Sequence, residues 1–334
     1  MNLSVYAQEI PSPKQALQNF DISPAQMQLL ERGEIVSYEV NETSKKELGI
    51  GLAMIIPVAL PKVVDYIRQG NLTNTESDLI ASGRLLANAD ISSFQQFGFS
   101  NKQIDEAKSF LNAIPGDAFN LSKQELETLK SSRIDLQDAN SESLLNAANQ
   151  KYREFLLRRF MAYQKNGLSG IAAYDRQRGS ADPGAELRTD VINSKAWAQY
   201  FPELQQAWLN YPAEPLPNTS EQFLWLNRSV ENRPTAILTH RLIATSENGG
   251  IVLSRQFYVG HSYNSSHVVT GGLPYKDGTL VFYSIRSSTD QVAGMGSSLK
   301  HSIGRAQMKK EMIERLQRIN KDLKLKAEPV TSEN

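Results

Sequence analysis

Residues 253–264, LSRQFYVGHSYN, alternate apolar side chains with arginine, glutamine, tyrosine and histidine. Strand alternation puts Leu253, Arg255, Phe257, Val259 and His261 on one face and Ser254, Gln256, Tyr258, Gly260 and Ser262 on the other. Two neighbouring stretches repeat the pattern. In TAILTHRLIA, His240 shares a face with Ala236, Leu238, Leu242 and Ala244, while Arg241 shares the opposite face with Ile237, Thr239 and Ile243. In LVFYSIRSSTD, Arg286 follows Leu280, Phe282 and Ser284 along one face. A single polar head among apolar neighbours is how a pocket orients an amphipathic guest. A solid core would exclude such heads, since an unpaired buried polar group costs about 1–3 kcal/mol and an unpaired arginine more. The candidate ligand-binding residues are therefore His240, Arg255, Tyr258, His261 and Arg286. Competing readings leave Arg255 and Arg286 on a water-bathed sheet face, fill the core with Tyr258, His261 and Tyr263 as satisfied heads, or pair Arg286 with Asp290.

Other chemistries find weaker signals. His240, His261, His267 and His301 include no pair at helical i, i+4 spacing and no His-x-His, and the chain has no cysteine. Neither a metal site nor a cofactor is expected, and no catalytic residue is assigned. There is no Gly-x-Ser-x-Gly nucleophile signature. GMGSSLK (294–300) fails the spacing of a phosphate-binding loop, so Ser297 or Ser298 is read as a helix cap. Asp175, Asp182, Glu186 and Asp190 cluster in what reads as a loop and are expected to be solvated acids, not a glycosidase pair.

The elements that must position the candidates follow from periodicity. EIVSYEVNE (34–42) alternates as a strand, and ELGIGLAMIIPVA is apolar enough for a more buried one. LPKVVDYIRQG is helical, with Pro61 in its first turn and Gly70 at its end. Residues 74–210 read as a mainly helical insertion. Its longest helix, SESLLNAANQKYREFLLRRFMAYQKNG, repeats apolar residues at three- and four-residue steps. After the proline-rich YPAEPLPN (211–218) the period falls from 3.6 to 2. SENGG and YKDGT mark hairpin turns, which predicts an antiparallel meander. A long helix from about Met295 to about Asp322 closes the chain, with Leu299, Ile303, Ala306, Ile313 and Leu316 as its apolar stripe.

The expected class is α+β: a curved antiparallel sheet wrapped around a long C-terminal helix, with a helical insertion. In GLAMIIPVALPKVVDYI and GTLVFYSIRSSTDQVAGMGSSLKHSIGRAQMKKEMIERL this order resembles the START-like, or helix-grip, superfamily that includes polyketide cyclase-like proteins. The resemblance implies an apolar ligand held in a cavity between sheet and terminal helix. The insertion is far longer than that family's usual connection. The domain is expected to span residues 15–326, with the insertion at about 74–210, between a disordered 1–14 segment and a disordered 327–334 tail.

Composition narrows the partners. Thirty-six basic and 36 acidic residues leave a formal net charge of zero, so no global field recruits nucleic acid. No apolar run reaches the length of a membrane span. Residues 296–326 carry nine Lys/Arg against three Asp/Glu, which would suit peripheral contact with an anionic membrane. Val5 and Ala7 have signal-peptidase spacing, giving a periplasmic or secreted location as the first reading and a cytoplasmic one as the alternative. Three functions are carried forward: binding, with or without transport, of a hydrophobic or lipid-like ligand; an enzyme in the same cavity with His240 or His261 as general base; and an interaction module working through the insertion.

Overall fold

A computed structural model describes residues 10–116, 118–132, 140–293 and 296–327. Helices α1 (Pro13–Asn19) and α2 (Pro24–Glu31) each open on a serine capping box, Ser12 with Gln15 and Ser23 with Gln26. Among the described residues, regular structure begins at Pro13, inside the segment expected to lack it. The remainder of that expectation, residues 1–9 with Val5 and Ala7, lies outside the described residues, as does the tail beyond 327.

Next come β1 (Val36–Tyr38), β2 (Glu47–Ile56), α3 (Leu60–Arg68), α4 (Asn71–Asn74) and β3 (Leu79–Leu85). The insertion adds α5 (Ile104–Leu111), α6 (Lys123–Ser131), α7 (Ser141–Asn166), a small hairpin of β4 (Tyr174–Asp175) and β5 (Ser180–Ala181), α8 (Pro183–Ile192), α9 (Lys195–Tyr200) and α10 (Pro202–Leu209). The meander is β6 (Thr219–Val230), β7 (Arg233–Ser246), β8 (Gly249–Val259), β9 (Ser265–Tyr275) and β10 (Gly278–Ser288), and α11 (Ser297–Ala327) closes the chain.

Eight strands form one antiparallel sheet in the order β1-β2-β10-β9-β8-β7-β6-β3. The five meander strands are spatial as well as sequential neighbours. Glu231 and Asn232, both at positive φ, make the tight turn between β6 and β7. Helices cover both faces. On one, α3 and α11 pack against Ile50, Leu52, Ile243, Val281 and Ile285. On the other, insertion helices pack against Trp225, Leu238, Phe257 and Leu253, and the N-terminal helices against Ala53, Leu280 and Phe282. Two-sided cover explains why nine of the ten β2 residues are buried and why that stretch is so uniformly apolar.

The buried stripe of α11 lies later than its sequence suggests. Met312, Leu316, Ile319 and Leu323 face the sheet, whereas Leu299 and Ile303 are exposed at 68% and 58%. Each fully buried side chain of this size contributes about 1.5–3 kcal/mol, so the C-terminal half of the helix anchors it.

Strand β3 falls inside the segment expected to be mainly helical. It is an edge strand, mostly half-exposed, so its alternation is weak, and Gly83 interrupts it. That glycine pairs with Trp225. A Cβ at Gly83 would sit 2.4 Å from the indole Nε1, whose N–H donates to the Ser93 carbonyl at 2.8 Å. Gly83→Val is expected to destabilise the protein by about 1–3 kcal/mol through overpacking, measurable as a lower urea midpoint at unchanged m.

Candidate ligand cleft

Between the sheet and α11 lies a cleft enclosing about 100 Å3. Its floor is the α11-facing side of β7, β8 and β9; α3 and α11 form its walls. Val63, Ile67, Ile243, Val252, Leu316 and Ile319 give it a mostly apolar lining. Ser254, Gln256, Val268 and Thr270 line the floor of the cleft yet are half-exposed, so the helices leave it open to solvent. An apolar cavity of about 150 Å3 accepts benzene. The enclosed part is smaller than that and admits a short aliphatic tail, and a ring or a longer chain would extend into the open part.

One end is polar. Glu76, Thr239, Arg241 and Arg315 line it. Glu76 forms an ion pair with Arg315 and a second, at 3.3 Å, with Arg228, which also pairs with Asp78 at 2.8 Å. Thr239 and Arg241 follow one another on the same face of β7, at 2% and 6% exposure. Thr239 Oγ1, Arg241 Nε and Nη1, and Arg315 Nε are buried without a hydrogen-bond partner among the described residues. Burial is the main cause that lowers the Arg241 pKa, to about 10, reinforced by Arg315 and opposed by Glu76. Arg241 therefore remains a cation at neutral pH.

Of the candidates read from the sequence, His240, Arg255 and Arg286 lie on the opposite face. His240 pairs with Arg255 across β7 and β8, Arg255 with His267, and His267 with Arg286. These four basic side chains form one row beneath the insertion. They are buried, not bathed in water, and none lines the cleft. Arg255 donates to the Tyr163 hydroxyl at 2.9 Å and to the Trp208 carbonyl at 2.8 Å, with its guanidinium 4.2 Å over the Trp208 ring. With its oxygen accepting from Arg255, Tyr163 donates to His240 Nδ1 at 2.8 Å. That leaves the His240 proton on Nε2, 3.8 Å from Glu221. Burial first, then Arg255, holds the His240 pKa well below its usual value, so the imidazole is neutral. Arg286 pairs with Glu47, not with Asp290, which meets Lys46 at 2.7 Å and Arg176 at 3.0 Å.

Tyr258 and His261 sit apart from this row. Tyr258 lies 4.3 Å under the Arg159 guanidinium and donates to the Tyr152 hydroxyl at 3.3 Å. Simple alternation places it with Gln256, on the cleft face. A bulge moves it: Leu238 pairs with Tyr258 and Thr239 with Gln256, leaving Phe257 extra. His261 bonds Thr235 and Ser262, each at 2.7 Å. Burial, then Arg233, lowers its pKa to about 4.

No family model, curated protein or solved structure matches this chain. The cleft is thus read from its own geometry. The residues that sequence reasoning missed, Thr239, Arg241, Ser254 and Gln256, belong to the same strands as the residues it chose. Only the face differs. A second hollow of about 110 Å3 lies on the far face, between α1, α9 and the sheet. Phe20, Trp197, Phe201 and Val269 line it, and it lacks a comparable charged end.

Proposed function

We propose that this protein binds, and carries, a hydrophobic or lipid-like small molecule in the cleft between β7–β9 and α11. The reading rests on one observation: an apolar cleft, left partly open to solvent by its helices, with a polar end built by Arg241 and its neighbours. The helix-grip resemblance supports it, because the cleft occupies the place where those proteins hold their ligands. Such a lining gains free energy by removing a guest's apolar surface from water, at roughly 25 cal/mol per Å2. No histidine lines the cleft, so a histidine general base has no support there.

The test is organic extraction of purified protein with mass spectrometry, beside uptake of the neutral dye Nile red. An apolar molecule in the extract, or saturable dye fluorescence, is the expected result; neither one appearing would end the proposal. Thr270→Phe places a ring on the half-exposed floor. It is expected to weaken dye binding at least about tenfold, while stability stays within about 1 kcal/mol of the parent because the site is partly open.

A further inference from the structure

We infer that the cleft's ligand is an organic acid, an anionic oxygen-bearing head on an apolar tail, with its head seated between Arg241, Thr239 and Arg315. This rests on the proposed ligand cleft and names the class of guest. In the cleft, the lining groups left without a partner are Thr239 Oγ1, Arg241 Nε and Nη1, and Arg315 Nε. All can donate, and they come from the floor and from the facing helix. Native proteins rarely leave buried donors unpaired. Four such atoms on three residues, at one end of one apolar cleft, describe the complement of a carboxylate or phosphate ester.

Charge points the same way. Arg228, Arg241 and Arg315 gather around two carboxylates, Glu76 and Asp78. Glu76 is already engaged by Arg315 and Arg228, and Asp78 by Arg228. The surplus positive charge falls on Arg241, which is 6% exposed. A guanidinium presents a rigid fork of donors matched to two oxygens of one head group. A neutral alcohol would offer a single acceptor and leave the charge uncompensated. Arg241 pairs across the strands with Ser254, and Ile243 with Val252 two positions further along the same face, so Ile243, Val252 and Leu316 are the apolar lining next to a head on Arg241.

The experiment titrates octanoate, octyl phosphate, 1-octanol and inorganic phosphate into the full-length protein by calorimetry, with Nile red displacement in parallel. Octanoate or octyl phosphate should bind at least about tenfold tighter than octanol. Which one is tighter tells a carboxylate from a phosphate head. Arg241→Met should lower the affinity of the acids roughly 10- to 100-fold and that of octanol no more than a few-fold. Thr239→Val removes a hydroxyl that has no partner, so it should fold normally and weaken the acids a few-fold. Octanol binding as well as the acids, or an unchanged preference in both variants, would overturn the inference. Inorganic phosphate competing as strongly as the acids would also overturn it, since that marks a bare anion site. Failure of octanol, Nile red and the acids alike would instead remove the cleft reading beneath it.

Discussion

Glu125→Leu is expected to cost about 3–5 kcal/mol of stability. Glu125 and Arg159 form a two-point ion pair, Nε to Oε1 at 2.8 Å and Nη2 to Oε2 at 2.5 Å, with both residues buried. The pair joins α6 to α7. Arg159 also lies over the Tyr258 ring of β8 and reaches the Asn120 carbonyl at 3.4 Å. Asn120 donates onward to the Val259 and Tyr263 carbonyls at 2.9 and 2.8 Å. One charge pair therefore ties the insertion to the sheet. Removing the carboxylate strands a cation that has already lost its water, and the cost comes from that stranded charge more than from the lost attraction. Arg159→Met in the Glu125→Leu background should therefore recover much of the loss. Urea denaturation of the two single variants and the double variant gives the coupling energy. Additive losses would show that the pair contributes nothing beyond its separate parts.

The fold was legible where one period ran long. Strands β6 to β10 alternate over 11 to 14 residues each, and α7 repeats its apolar side over 26. Elements with short or diluted patterns were lost. Edge strand β3 has a glycine in the middle and water on much of its surface, and α11 opens with Leu299 and Ile303 on a face that nothing described covers. For the cleft, the sequence identified which strands matter but not which face. Alternation divides β7 correctly into His240 and Arg241 sides. Both sides carry a polar head among apolar residues, because helices cover both, and only tertiary packing says which cover leaves a gap. The bulge at Phe257 then breaks parity within β8, moving Tyr258 to the insertion side.

Asp190→Asn should make the protein more stable at pH 8 and leave it nearly unchanged at pH 4. The sequence reads Asp190 as a solvated acid, yet it sits on α8 at 2% exposure with Oδ2 unpartnered among the described residues. Burial, then Glu47, raises its pKa from 3.8 to about 8; Arg286 opposes the shift and Glu186 adds to it. In this window the folded chain keeps a proton that the unfolded chain releases. The stability the protonated acid permits is complete below pH 4 and is lost as pH rises through about 8, at about 1.4 kcal/mol per unit. Histidines add a slope of the opposite sign. His240, His261 and His267 are held neutral by burial, so the unfolded chain binds more protons below about pH 6.5 and stability there rises with pH. The wild-type curve mixes both effects, and the difference between wild type and Asp190→Asn isolates the acid. Urea midpoints at pH 5, 6.5 and 8 should diverge steadily, reaching about 3–5 kcal/mol in favour of the asparagine at pH 8. Parallel curves would mean that Asp190 is ionised in the folded chain, with Arg286 shared between Glu47 and the Asp190 carboxylate.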